Sequence, residues 1–377
     1  MESCPECDRP IISFGWCRTC ETNFMKGKFS YWSSGNNNID KLIRHTQLHA
    51  SKCCDYLEWI PFETLDIGKY IDSGGFSSIY SADWMEGPRR NWNDCSQEWI
   101  RTGPIKVALK RLNDSLINIS SSYVGQIKIH HECIQLASFV ETYGITKDST
   151  SNYMIVMKYY EKNLYQYLDR HTLTWEDIIY ILRETARCLI EIHNKGKIHK
   201  NLHGGNLFIE DENPLNVRIG DVSLYGPCYD HETNQIYGVL PYIAPEVLRG
   251  EDYTTASDIY SFGVIMNILV TRKRPWYNRA HNINLAKDIC DDKRLEIPNY
   301  TPSFYAELMR RCWNNVPGER PSAIELHGKL NLNNLIFKYE ETQLPGVYNH
   351  PEVHPEASYI SRPLCFPELF KHDRSLK

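Results

Sequence analysis

One segment constrains this chain more than any other: Ile198-His199-Lys200-Asn201-Leu202-His203-Gly204-Gly205-Asn206, with Asp221 fifteen residues beyond Asn206. An amide and a carboxylate at that spacing belong to two short strands of one small hairpin, from which both reach a magnesium–nucleotide complex. Magnesium takes hard oxygen ligands together with substrate phosphates, and these two side chains supply such oxygens. Just upstream, Trp175 to Asn194 carries Ile178, Ile181, Leu182, Leu189 and Ile192 at helical spacing, the broad apolar face of a core helix. The segment therefore leaves a buried helix and enters a tight turn. Asn201 is its odd member, because phosphoryl transfer to a hydroxyl calls for a carboxylate there.

Further blocks follow a fixed order. Val107-Ala108-Leu109-Lys110 is an apolar strand ending on a cation, and Asp221-Val222-Ser223 follows the hairpin. Then come Ala244-Pro245-Glu246, Asp258-Ile259-Tyr260-Ser261-Phe262-Gly263, Cys312-Trp313 and Glu319-Arg320-Pro321. In this order the blocks resemble those of protein kinases, whose catalytic loop reads H-R-D-x-x-x-x-N. The wording of the later blocks is similar to the tyrosine-kinase-like group. The paired Cys-x-x-Cys motifs at the start are similar to a fungal subset of it. The resemblance implies an α+β, two-lobed protein kinase fold. Its small lobe would be an antiparallel sheet plus one helix, its large lobe mainly helical, with a zinc-ribbon-like module in front. The implied boundaries are 1–30 for that head, 31–61 for an amphipathic linker helix, 62–335 for the kinase domain and 336–377 for a tail.

The resemblance also assigns a site. ATP would be held by Gly74, Gly75, Ser77, Ile79, Ala108, Lys110, Met157, Tyr159, Asn206 and Asp221, with Asn206 and Asp221 as the magnesium ligands. Several positions depart from the family pattern. Asp72 and Ser77 replace the outer glycines of the loop that closes over phosphates. Gln126 stands where a glutamate would pair with Lys110, and Val222-Ser223 replaces the Phe-Gly of D-F-G. Asn201 occupies the position of the carboxylate that accepts or orients the hydroxyl proton. An amide cannot take that proton near neutral pH, and losing a general base typically costs about 10²–10⁴ in rate. His203 is the nearby alternative base or cation, and the blander reading is that it marks the subset. Lys200 replaces an arginine, and Glu246 with Arg320 reads as a structural pair. Tyr225, Tyr229, Thr233 and Tyr237 are candidate modification sites.

At the N-terminus, Cys4, Cys7, Cys17 and Cys20 form two Cys-x-x-Cys pairs separated by nine residues. Each pair places two sulfurs about 2.3 Å from a shared zinc, closing a tetrahedral thiolate site. The alternative is two free pairs in a flexible segment. A module this small cannot bury a core, so it is expected to fold with its metal. Beyond it, Ile39, Leu42, Ile43 and Thr46 recur at helical spacing. Residues 83–104 read as an inserted surface loop with a partial hairpin, and residues 345–377 as a polar, proline-bearing tail.

Composition bounds the remainder. The net charge of −5 over 377 residues gives no pull toward nucleic acid or an anionic membrane. No stretch reaches the ~18 apolar residues of a membrane helix, and the start has neither the basic nor the apolar part of a signal peptide. Thirteen cysteines without framework spacing beyond the first four point to a reducing compartment, the cytoplasm or nucleus. Three functional readings follow. One is a pseudokinase, nucleotide-capable or nucleotide-poor, that acts as a signalling scaffold and regulates protein partners by shape. The second is a kinase of low activity acting on protein hydroxyls. The third is a zinc-dependent nucleic-acid binder, disfavoured by the lack of a dense basic cluster.

Overall fold

The structure is a computed structural model that describes residues 3–11, 16–53, 55–73, 77–93, 95–96, 98–112, 124–125, 127–128, 131–132, 139–210, 216–222, 236–330 and 351–369. The chain divides into two compact units, Met1–Tyr159 and Tyr160–Lys377.

The first unit begins with helices α1 (Arg18–Lys28) and α2 (Asn37–His49). The Asn36 side chain starts α2 by accepting the N–H groups of Asn38 and Ile39. The expected apolar stripe of Ile39, Leu42, Ile43 and Thr46 is buried. Thr46 Oγ1 accepts the Leu57 N–H, and Gln47 donates to the Leu57 carbonyl, so α2 is tied to the strand that follows.

Eight strands come next: β1 (Glu58–Trp59), β2 (Leu65–Ser73), β3 (Ser77–Trp84), β4 (Arg89–Asn93), β5 (Glu98–Arg101), β6 (Ile105–Leu112), β7 (Thr142–Lys147) and β8 (Tyr153–Lys158). Six of them form one sheet in the order β1-β7-β8-β6-β3-β2. Every neighbour is antiparallel except the short β1–β7 pair. Strand side chains alternate between faces. Val107, Leu109, Ala82, Trp84, Met154 and Val156 accordingly fill the core on one face.

The 83–104 insertion contains the β4–β5 hairpin, as the sequence suggested, and it has a packing partner. Trp99 on β5 meets Trp16 edge-on and joins a cluster with Met25, Ala50 and Tyr56. Arg89 on β4 pairs with Glu21 on α1. The insertion thus roofs the cysteine-bearing head, whose own residues are too few to close a core.

The second unit contains α3 (Leu164–Arg170), α4 (Trp175–Asn194), β9 (Leu207–Glu210), β10 (Asn216–Ile219), β11 (Ile236–Gly238), α5 (Pro245–Leu248), α6 (Thr255–Thr271), α7 (Ile283–Cys290), α8 (Ser303–Cys312), α9 (Ala323–Leu330) and β12 (Arg362–Leu364). Thr174 and Asp177 cap α4 reciprocally. Helix α6 is buried from Ser257 to Val270 and forms the centre of the unit. Among the described residues no helix is long and apolar enough to cross a membrane.

Glu246 and Arg320 form the pair read from the sequence. Their two bonds are parallel, 2.7 Å each, and both side chains are buried. Removing one partner leaves an uncompensated buried charge, which costs about 3–5 kcal/mol. Arg320→Ala is therefore expected to lower unfolding free energy by that amount in urea titrations. A loss under about 1 kcal/mol would place the pair among ordinary surface bridges.

The sequence pointed to a tail after 335. Residues 351–369 instead lie along the second unit, and β12 pairs with β11. No periodicity marks this segment, because its order comes from what it rests on.

Candidate functional site

The loop between α4 and β9 is shaped by one carboxylate. Asp258, on the first turn of α6, is 1% exposed. Its oxygens accept the backbone N–H of His199 and of Lys200, each at 2.8 Å, and lie 2.9 Å from His193 Nε2. Lys200 has φ of 67°, a left-handed conformation that a non-glycine residue adopts only when held there. Burial lowers the proton affinity of the His199 ring, and its Nδ1 accepts the Asn201 N–H at 3.2 Å. Asp258→Asn leaves an amide with one acceptor oxygen facing two loop N–H groups. The expected cost is about 1–3 kcal/mol. Faster amide exchange confined to 198–206 would accompany it, and unchanged exchange there would contradict this role.

The loop feeds the β9–β10 hairpin. Leu207 faces Ile219 across it, and the Gly220 N–H donates to the Asn206 carbonyl at 2.9 Å. Asn206 and Asp221 therefore flank the open end of the hairpin, one residue outside β9 and two outside β10. The Asn206 amide donates to the Asn201 carbonyl at 2.9 Å, so its nitrogen is engaged and its oxygen is the atom a metal would take. Asp221 has φ of 58° and is half-buried. An amide oxygen beside a carboxylate fits a hard divalent cation.

His203 is buried and caps the short turn Gly204–Asn206, its Nδ1 accepting the Gly205 N–H at 3.1 Å. That gives the ring a loop-shaping job. Gly204 lies against Tyr165, and a Cβ there would come within 2.7 Å of that ring. Tyr165 in turn shares a hydroxyl hydrogen bond with Tyr242.

Asn201 is 6% exposed, and a hydroxyl reaches it: Ser361 Oγ donates to Asn201 Oδ1 at 3.1 Å. Ser361 was absent from the sequence-derived site, since nothing local distinguishes it from other tail serines.

In the first unit the nucleotide candidates converge by strand pairing. Ile79 faces Lys110 and Ala108 faces Met157, so these four and Ser77 lie on the sheet face opposite Val107 and Leu109. Lys110 is 4% exposed. Tyr159 follows β8, its ring 4.2 Å from Lys106 Nζ. Gly74, Gly75, Gln126, Ser223, Tyr225, Tyr229 and Thr233 lie outside the described residues. Tyr237 is described and is buried on β11.

The four head cysteines come together. Their sulfurs all lie within 4.8 Å of one another, with Cys4–Cys20 at 3.8 Å and Cys7–Cys17 at 3.5 Å. Four thiolates at about 2.3 Å from one zinc stand about 3.8 Å apart. The first pair lies in a turn closed by the Cys4 N–H on the Arg9 carbonyl. The second is built on a helix: Cys17 is the N-cap of α1 and Cys20 lies in its first turn. The sequence suggests a zinc-ribbon-like module, and the second pair opens a helix. The helix start adds positive potential where thiolates gather.

The sequence profile described as protein tyrosine and serine/threonine kinase matches residues 65–330. The chain belongs to this protein kinase family. It is 31% identical over 297 residues to a probable serine/threonine-protein kinase of Dictyostelium discoideum, covering 76% of this chain and 16% of that relative. A second probable serine/threonine-protein kinase of the same organism is 25% identical over 303 residues, covering 78% of this chain and 30% of its own length. A third, drkD, is 24% identical over 284 residues, covering 71% and 20% respectively. The chain thus spans less than a third of the length of each of these relatives.

Proposed function

We propose that this chain is a pseudokinase of the tyrosine-kinase-like group, a kinase-fold protein that regulates protein partners by shape. One observation carries the reading. The group facing an acceptor hydroxyl is the uncharged carboxamide of Asn201, at 3.1 Å from Ser361 Oγ. It orients a hydroxyl and cannot remove its proton. In its surroundings, Asp258 and the Glu246–Arg320 pair keep the architecture that the family's chemistry uses.

A second reading, a kinase of low activity, is favoured by the retained oxygens of Asn206 and Asp221 and by Lys110 on the sheet face. Most acceleration of phosphoryl transfer comes from positioning and charge stabilisation. Magnesium would be held by Asn206 and Asp221 and would supply neutralisation of ATP phosphates. Zinc would be held by Cys4, Cys7, Cys17 and Cys20 and would supply cross-linking of the head.

The two readings separate on a paired measurement. With magnesium and ATP the protein is expected to show a raised melting temperature that Asp221→Asn diminishes, alongside negligible transfer of phosphate to protein substrates. Brisk transfer by the unaltered chain would overturn the pseudokinase reading.

A further inference from the structure

A two-stranded hairpin on its own is marginally stable in water, so the β4–β5 hairpin owes its order to what it packs on. Three arginines tie it down, each to a carboxylate of a different part of the first unit. Arg101 pairs with Glu58 on β1. Arg89 pairs with Glu21, the residue after Cys20 on α1, and its guanidinium stands 4.2 Å from the Phe24 ring centre. Arg90 pairs with Glu141, and its guanidinium stands 4.7 Å from the Tyr143 ring centre.

Glu141 belongs to the end of the nucleotide strand. Its carbonyl accepts the Lys158 N–H at 2.8 Å, and its carboxylate lies 3.6 Å from Lys158 Nζ. The next pair inward is Thr142 opposite Met157. Glu141 and Lys158 therefore close the β7–β8 ladder at the end where Tyr159, the expected adenine neighbour, follows directly.

Arg89 and Arg90 are neighbours on β4, so one peptide step joins the grip on the head to the grip on the end of β8. An isolated surface ion pair contributes little. Here the two pairs share a strand whose order depends on the head. The element with two states is the head itself, since a module this small folds with its metal. When it is folded, Trp16 holds Trp99 and Glu21 holds Arg89. When it unfolds, both partners leave, the hairpin frays, and Arg90 loses its fixed place over Tyr143.

We infer that Arg90 is a positioning residue for the nucleotide strand, and that its hairpin makes nucleotide affinity depend on whether Cys4, Cys7, Cys17 and Cys20 hold zinc. This rests on the zinc and ATP readings given above. A coupling of ordinary size changes affinity about 5–150-fold, and it is reciprocal: ATP tightens zinc by the factor by which zinc tightens ATP.

The test uses the full-length protein, a fluorescent ATP analogue with magnesium, and a chelator that takes zinc and leaves magnesium. Stripping zinc is expected to weaken analogue binding at least fivefold in the unaltered chain. Arg90→Gln should keep its zinc, bind the analogue as weakly as the stripped chain and show no further response to stripping. Arg90→Lys should recover part of the response. A purely structural arginine would lower the melting temperature and leave the zinc response intact, and that result overturns the inference. So does equal affinity with and without zinc. Zinc content, measured before and after stripping, tells a failed head from a failed coupling.

Amide exchange without nucleotide supplies a second measurement. Stripping should speed exchange at the Lys158 N–H and in β4 and β5, and leave the β3–β6 pairing protected. Unchanged exchange at Lys158, or equal acceleration across β3 and β6, overturns the proposal. No analogue binding in either state overturns it as well, and faster exchange at Lys158 in the same protein then marks the ATP reading as the part that failed.

Discussion

Asn201→Asp is expected to raise incorporation of phosphate from ATP into the chain by about 10²–10⁴-fold, the usual contribution of a positioned general base. The reasoning is local. Ser361 Oγ already donates its hydrogen bond to Asn201 Oδ1 at 3.1 Å. A carboxylate in the same place accepts that proton as the Ser361 oxygen bonds to the γ-phosphorus and the bond to the departing ADP breaks. The substitution changes charge and scarcely changes shape, and the backbone there is held by Asp258 regardless. The label is expected on Ser361 first, identified by mass spectrometry. Adding Ser361→Ala to Asn201→Asp should then remove most of it. If Asn201→Asp still melts later with magnesium and ATP but takes up no more label than the parent, the missing carboxylate is not what separates this site from an active one.

Removal of metal from the head is the second large effect. Structural zinc in small modules carries roughly 10–16 kcal/mol of apparent binding energy at neutral pH, and that energy is folding energy. Purified protein is expected to carry zinc at one ion per chain. A strong chelator, or Cys4→Ser with Cys20→Ser, should release the segment before α2. Trp16 and Trp99 share one cluster with Tyr56, so their emission should shift to the red together. All four head cysteines should then alkylate quickly. Emission and alkylation that stay the same after chelation would mean that the sulfurs gather without a metal. The effect should reach beyond the head, because Trp99 and Arg89 belong to the hairpin inserted between the third and sixth strands.

Much of the candidate site was legible in the sequence, because within each unit it is built by short-range rules. A hairpin of known span brings Asn206 and Asp221 together, and the ordered blocks name the strand that bears Lys110. Strand alternation then gathers Ile79, Ala108 and Met157 on the same face. Two features were out of reach for the same physical reason. The purpose of the 83–104 insertion depends on Trp16, far away in the chain, and a tryptophan shows no preference for one distant cavity over another. The seating of 358–366 depends on a short strand more than a hundred residues upstream, and a sequence carries no local signature of a strand completed by a remote partner. The helix under the second cysteine pair was not read from the sequence, because a Cys-x-x-Cys spacing suits the first turn of a helix as well as a hairpin.

The Asp258 carboxylate grips main-chain amides at His199 and Lys200, and every amino acid except proline offers the same amide. The path of the loop is therefore indifferent to the side chain that follows at 201. Chemistry and architecture are written on separate atoms here, so mutation can erase the first while inheritance preserves the second, and a catalyst can become a mould in a single step.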